Sequence, residues 1–164
     1  MTTKEQLIGA WTLESYTVRD VESGEVSYPI GRNPEGLILY TTDGYMSAQL
    51  SSGERDPFQS GDIFGGSTNE YVKAGRSYIA YSGPFHFDEK EGQLEHEMFV
   101  SFFPNWKGQR QVRLFEIDKD RLHLGPDHPM TVDGRLQTAS LIDRGARQAH
   151  ARRRAKGEVW MFAR

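Results

Sequence analysis

Short β-rich segments, separated by turn signals at regular spacing, are the feature that most constrains how this chain can fold. The clearest hairpin joins residues 37–41 to residues 45–50 through Thr42-Asp43-Gly44, where the Asp-Gly pair supplies the positive φ of a tight turn. An earlier segment, 11–18, alternates in the same way and places Trp11 and Leu13 on one face. Later strands are predicted over 78–88, 93–103, 109–117, 121–125, 132–142 and 157–163. About eight or nine strands at this spacing predict an all-β protein, either a sandwich or a closed antiparallel barrel.

Two short helices accompany the predicted strands. Thr3 and Gln6 form a capping box that opens a helix ending at Gly9. Ser67 and Glu70 form a second box, which predicts a helix near residues 67–77. We find no internal repeat and no linker, and 164 residues is the length of one domain, so we expect a single domain over 1–164.

Composition excludes several classes of protein. The chain has no cysteine, which excludes disulfides, thiol catalysis and thiolate metal sites. Its net charge of -3 gives no general field for nucleic acid, so we expect no nucleic-acid partner. Apolar runs are only a few residues long, whereas a membrane-spanning helix needs roughly 20 residues. With no basic-then-apolar signal at the start of the sequence, a cytoplasmic protein is the default expectation.

A basic insertion at residues 143–156 stands apart from the rest of the sequence. It carries six basic residues and one acidic residue, a net charge of +5. Such a segment is most often a solvated loop, although contact with a phosphate or an acidic partner is an alternative. The tract could also close a barrel mouth or mediate a homodimer. No aromatic residue interleaves its arginines, which disfavours stacking on single-stranded nucleic acid.

Alternation along strand 93–103 places a histidine inside the protein. Because Glu95 and Glu97 must face solvent, the other face carries His96 among apolar residues. That inner face comprises Leu94, His96, Met98, Val100 and Phe102. His96 is therefore either a core histidine bonded to the backbone or a group that contacts a ligand or transfers a proton.

The same argument places an arginine inside the protein. If Phe115 and Ile117 face inward, then Gln111 and Arg113 do so as well. A buried guanidinium is costly unless it is paired, and the sequence shows no obvious inward carboxylate nearby. Arg113 then binds an anionic or carbonyl-bearing ligand, fills a structural hydrogen-bonding role, or turns outward at a bulge.

Four further residues are candidates for ligand contact. Ser47 and Gln49 share one face of strand 45–50, and that face either lines a pocket or forms cross-strand pairs on the surface. Tyr81 alternates with two phenylalanines and needs a partner for its hydroxyl when buried. Trp106 follows a Pro-Asn turn and either anchors that turn or covers a barrel mouth.

Several short stretches carry a distinctive combination of motifs. They are Gly9-Ala10-Trp11, Tyr28–Gly31, Gly36–Leu50, Ser60–Asp62, Tyr78–Gly83, Ser101–Trp106, Gln111–Arg113 and Asp120–Leu122. Together they resemble the small lipocalin-like domain family of bacteria and fungi. The resemblance covers residues 7–125 and the last predicted strand. It implies an antiparallel up-and-down barrel, and related barrels include both ligand carriers and cofactor-free cyclases.

Three functions follow from these observations. The barrel binds a small, largely apolar or amphipathic molecule with a carbonyl or carboxylate group, oriented by His96, Gln111 and Arg113. Alternatively, it is a cofactor-free cyclase, isomerase or lyase of small-molecule biosynthesis, in which His96 transfers a proton and Arg113 stabilises an anion. A third hypothesis is an interaction module that uses the basic insertion. No phosphate-binding loop, nucleophile elbow or convincing set of metal ligands is present in the sequence, so we expect no cofactor and no metal.

Overall fold

The computed structural model describes residues 3–145, which form an antiparallel β-barrel with two α-helices. In chain order, the elements are α1 (Lys4–Leu7), β1 (Gly9–Asp20), β2 (Val26–Ser27), β3 (Pro34–Tyr40), β4 (Tyr45–Ser52), α2 (Thr68–Arg76), β5 (Tyr78–Asp88), β6 (Gln93–Glu97), β7 (Val100–Ser101), a 3-10 turn (Pro104–Trp106), β8 (Arg110–Asp118), β9 (Arg121–Pro126), β10 (Met130–Val132) and β11 (Arg135–Gly145).

Eight of these strands close into the barrel. Hydrogen-bonded neighbours follow the order β1, β3, β4, β5, β6, β8, β9 and β11, and β11 pairs with β1 to complete the circle. Closure leaves no free edge among these eight strands. The predicted all-β lipocalin-like barrel is confirmed. The predicted strand 157–163 lies outside the described residues, and the barrel closes through β11 instead.

The two helices begin at the predicted capping boxes. Thr3 and Gln6 open α1, and Ser67 and Glu70 open α2. Helix α1 covers one end of the barrel, where Leu7 is fully buried and its carbonyl accepts a hydrogen bond of 2.9 Å from Trp11 Nε1. We call this the closed end. Neither helix of the described region has the length and hydropathy needed to cross a membrane.

A β-bulge in β1 changes which side chains face inward. Trp11 and Leu13 point into the barrel as expected, but the pairing with β11 shifts between Leu13 and Ser15. The extra residue resets the alternation, so Tyr16 and Val18 are buried on the inner face. Simple alternation from Leu13 would have turned Tyr16 outward.

The predicted inner face of strand 93–103 is correct for its first half only. Leu94, His96 and Met98 are fully buried, but Val100 is 57% exposed and Phe102 is 53% exposed. The reason is that β6 and β7 both pair with β5, but the register shifts by one residue between them: Phe85 pairs with His96, whereas Tyr81 pairs with Ser101. The extra residue reverses the alternation. The two halves therefore do not share one alternating face.

Gly83 accommodates this register shift. A Cβ atom at Gly83 would overlap the carbonyl oxygen of Glu97 and would lie 2.8 Å from the amide nitrogen of Phe99. Both contacts are to backbone atoms, so no side-chain rotation can relieve them. The passage from β6 to β7 thus depends on the missing side chain.

Replacing Gly83 with alanine should destabilise the protein by about 2–4 kcal/mol, because the overpacking falls on backbone that pairs with two strands. Urea unfolding followed by circular dichroism measures this change. Gly61→Ala is the matched control, because a Cβ atom added at Gly61 would have no atom within 4 Å and the residue has no positive φ. Equal stability of the two variants would contradict the close approach at Gly83.

The start of the basic insertion is not a loop. Asp143, Arg144 and Gly145 form the end of β11, and Asp143 is fully buried. Arg144 is also buried. It forms an ion pair with Glu14 across the seam where the barrel closes and another with Asp120 in the turn between β8 and β9. The solvated-loop interpretation therefore fails for residues 143–145, and residues 146–156 lie outside the described part of the chain.

Candidate ligand-binding site

A cavity of about 40 Å³ lies inside the barrel, toward the end opposite α1. Its polar lining residues are Tyr16, Tyr81 and Arg113, and Trp106 also lines it. The rest of the lining is Leu50, Ile79, Leu124, Gly125, Pro126, Met130, Ala139 and Leu141. A larger groove of about 730 Å³ runs between the loop at 54–59 and α2, but it lies on the surface and α2 has no buried residue. Ligand sites are typically enclosed and mostly apolar with a few polar groups, which favours the interior cavity.

Arg113 is the charged residue of this cavity. It is 7% exposed, and its guanidinium donates to Gln111 Oε1 at 2.5 Å and to the carbonyl oxygen of Val112 at 3.3 Å. Among residues 3–145, no carboxylate forms a salt bridge with it. Since a guanidinium carries five N–H donors, it retains hydrogen-bonding capacity beyond these two bonds.

Two tyrosines lie close to Arg113. The guanidinium carbon is 5.9 Å from the ring centre of Tyr81. Burial raises the pKa of Tyr16 to about 12, and Tyr81 adds to this rise, whereas the positive charge of Arg113 opposes it. One cation and two phenols therefore converge at the cavity wall.

Trp106 combines the two roles considered for it. Its ring packs edge-on against Tyr81 at 5.7 Å and against Phe103 at 5.6 Å, which anchors the 3-10 turn. It also contributes to the lining of the cavity. A movement of this short turn would change the volume of the cavity directly.

His96 lies outside the lining of the cavity. It is fully buried, and its Nε2 forms a hydrogen bond of 2.9 Å with the hydroxyl of Tyr40. Its ring centre is 6.0 Å from that of Tyr81, which does line the cavity. Burial, followed by the charge of Arg113, holds the pKa of His96 well below its usual range, so the imidazole is neutral at pH 7.

Ser47 and Gln49 are on the outer face of β4 and do not reach the cavity. The inner face carries Met46, Ala48 and Leu50 instead. The hydroxyls of Ser47 and Ser82 are 2.8 Å apart, and Tyr78 donates to Gln49 Oε1 at 2.5 Å. These are the cross-strand surface pairs that the sequence left open as an alternative. Gln111 acts through its bond to Arg113 and is not part of the cavity wall.

Sequence reasoning missed three residues of the interior. The bulge in β1 turns Tyr16 inward, and Met130 belongs to a short strand that was not predicted. Asp143 was assigned to the basic insertion, yet it points into the barrel, and neither carboxyl oxygen has a hydrogen-bond partner within residues 3–145. Burial raises the pKa of Asp143 from 3.8 to about 8, with a smaller contribution from Glu14. Within the same residues, no cluster of three or more potential metal ligands occurs.

Comparison with known proteins agrees with this geometry. The family described as lipocalin-like domain matches residues 8–143. A 4'-hydroxy-3'-methoxypropiophenone carrier protein of Aspergillus oryzae is 31% identical over 102 residues, which cover 58% of this chain and 92% of that protein. No solved structure shows significant similarity to the chain. Family and relative together support binding of a small molecule in the barrel, and the chain is a member of the lipocalin-like domain family.

Proposed function

We propose that this protein binds and carries a small, largely apolar molecule whose carbonyl or carboxylate oxygen is held by Arg113. One observation carries the proposal: a buried guanidinium at the cavity wall has no acidic partner among the described residues. Desolvation of an unpaired cation is costly, and a ligand oxygen that accepts its remaining N–H groups offsets that cost.

The aromatic lining favours an aryl ketone as the class of ligand. Tyr81 and Trp106 offer ring faces and edges beside Arg113, which suits a flat aromatic molecule with a carbonyl group. The ligand named for the Aspergillus relative, a substituted propiophenone, is an aryl ketone. We therefore propose that this barrel takes the same chemical class.

A molecule of this size exceeds the cavity of about 40 Å³, so binding requires side chains to move. Trp106 lies on a three-residue turn, and the unbranched side chain of Met130 adopts many shapes. Their rearrangement is the most direct way to enlarge the cavity while the eight-stranded barrel remains closed. Binding should therefore change the environment of Trp106.

Titration with 4'-hydroxypropiophenone tests the proposal. We expect saturable binding by calorimetry and a change in tryptophan fluorescence, with at least tenfold weaker binding of 4-propylphenol, which lacks only the carbonyl oxygen. Benzoate derivatives extend the test to carboxylates. Absence of binding by every ketone and carboxylate would contradict the proposal, as would equal affinity for the ketone and for 4-propylphenol.

The location of His96 favours a carrier over a catalyst. A proton-transferring group must come within hydrogen-bond reach of the reacting atom, and His96 lies below the cavity in a bond to Tyr40. The same titration samples distinguish the two functions. A carrier returns the compound unchanged, whereas a new product that disappears in the His96→Gln variant would make the protein an enzyme.

A further inference from the structure

The barrel contains two buried groups that the proposed function does not use. Asp143 and His96 are both fully buried, and Asp143 Oδ1, Asp143 Oδ2 and His96 Nδ1 have no hydrogen-bond partner within residues 3–145. Buried polar atoms are almost always paired, because leaving them unpaired costs free energy. Hydrogen bonds from a ligand that enters the barrel would offset this cost.

Asp143 lies directly below the floor of the cavity. Leu141 and Leu124 face each other across β11 and β9, and both line the cavity. Asp143 and Leu122 form the next inward pair toward the closed end, two residues farther along each strand. This displacement is about 7 Å along the strand. A ligand that passes this pair of leucines meets the carboxyl group.

His96 is on the strand next to that of Arg113. Its ring lies between those of Tyr81, in the cavity wall, and Tyr40, with ring centres 6.0 Å and 5.7 Å away. Among the described residues, Tyr40 is the sole hydrogen-bond partner of the imidazole, at Nε2. Leu94 pairs with Arg113, and His96 is the next inward residue of β6, so strand pairing places His96 on the Arg113 side of the barrel. The site below the floor of the cavity is therefore assigned to Asp143 alone.

We propose that Asp143 forms a second polar subsite, which binds the hydroxyl group of a ligand whose carbonyl oxygen is held by Arg113. This inference rests on the proposed function and specifies its ligand further. A hydroxyl can donate a hydrogen bond to a carboxyl oxygen, whereas an ether or a ketone only accepts. An ammonium group suits the site less, because it would add a second positive charge to a barrel that already buries Arg113.

The spacing of the two subsites sets the length of the ligand. Arg113 pairs with Pro126, and Asp143 pairs with Leu122, four residues away on the same strand. Four residues span about 14 Å along a strand. Because barrel strands are tilted by roughly 40° from the barrel axis, this length corresponds to about 10 Å along the axis. One benzene ring with oxygen substituents at opposite ends, extended by two hydrogen bonds of about 2.8 Å, covers this distance. The matching class is a para-hydroxy aryl ketone.

Calorimetry with a matched pair of ligands tests this subsite. We expect the full chain to bind 4'-hydroxypropiophenone at least tenfold more tightly than 4'-methoxypropiophenone, in which the hydroxyl proton is replaced by a methyl group. Asp143→Leu should reduce this ratio to nearly one, chiefly by weakening the hydroxy ketone. Ser47→Ala, a polar change on the outer face, should leave the ratio unchanged.

The outcomes separate this inference from the proposed function. If both ketones bind the full chain equally, the subsite is overturned and the carrier function stands. If neither ketone binds, both the carrier function and the subsite are overturned. A preference for the hydroxy ketone that persists in Asp143→Leu overturns the role of Asp143. Should that variant not fold, Asp143→Asn and the comparison of the two ketones with the unaltered protein still decide the question.

Discussion

Replacing Arg113 with methionine should weaken binding of 4'-hydroxypropiophenone by about 30- to 100-fold. Methionine retains much of the length and apolar volume of the arginine stem, so the cavity wall is kept while the charged donors are lost. Hydrogen bonds to a charged group contribute about 1.5–3 kcal/mol, or about 10- to 150-fold in affinity, and the expected loss lies within this range. Binding of 4-propylphenol, which has no carbonyl oxygen, should change little.

Arg110→Met is the matched control for this prediction. Arg110 is on the same strand, but it is exposed and forms salt bridges with Glu95 and Glu97 on the outside of the barrel. Calorimetric titration of both variants with both ligands measures the four affinities. If Arg113→Met weakens the ketone and the propylphenol equally, Arg113 supports the cavity by packing and does not hold the carbonyl oxygen.

The second large effect concerns pH. The free energy of unfolding should fall by up to about 2 kcal/mol between pH 6.5 and pH 8, because the pKa of Asp143 is about 8 in the folded barrel and 3.8 when solvated. The folded state keeps the proton that the unfolded state has lost, so stability decreases as pH rises toward 8, at no more than about 1.4 kcal/mol per pH unit.

The other groups with shifted pKa values affect stability mainly outside the range from pH 6.5 to pH 8. His96 has a lowered pKa, so it reduces stability only when the unfolded chain becomes protonated, below about pH 6.5. Tyr16 and Tyr40 have raised pKa values, so they change the free energy of unfolding only above about pH 10. Asp20 and Glu70 have lowered carboxyl pKa values, so they change it only in acid. Between pH 6.5 and 8, Asp143 dominates.

Urea unfolding at several pH values in this window measures the slope. Asp143→Asn cannot titrate, so its stability should be nearly independent of pH there and should exceed that of the unaltered protein at pH 8. Asp56→Asn, a change in an exposed loop, should retain the original slope. A slope that survives in Asp143→Asn would mean that another group carries the titration.

The barrel could be predicted because its information is local. Turn residues at short intervals and period-two alternation specify antiparallel strands, and the same alternation placed His96 and Arg113 on the inner face. A charged residue among apolar neighbours is visible in sequence without knowledge of its partners. The predicted inward positions of His96 and Arg113 are correct because β6 and β8 pair regularly at these residues.

The residues that the sequence misplaced have three other causes. Tyr16 follows a bulge, and Val100 and Phe102 follow a one-residue shift in the pairing with β5, so each lies beyond a break in the alternation that no local pattern marks. Ser47 and Gln49 are on a strand whose two faces are both acceptable as interior. Asp143 adjoins a run of arginines, and local charge suggested solvent where pairing with Leu13 and Leu122 places the residue inside.

The seam between β1 and β11 also has a consequence for how the chain acquires its fold. Trp11 pairs with Gly145 and Asp20 pairs with Gln137, so closure joins the first and last strands of the described barrel. Contacts so distant in sequence slow folding, because chain entropy is lost before they form. During synthesis, the inner faces cannot be enclosed until Gly145 has left the ribosome. A nascent chain therefore exposes a nearly complete, open sheet. The barrel can enclose a ligand only after β11 has been synthesised and has paired with β1.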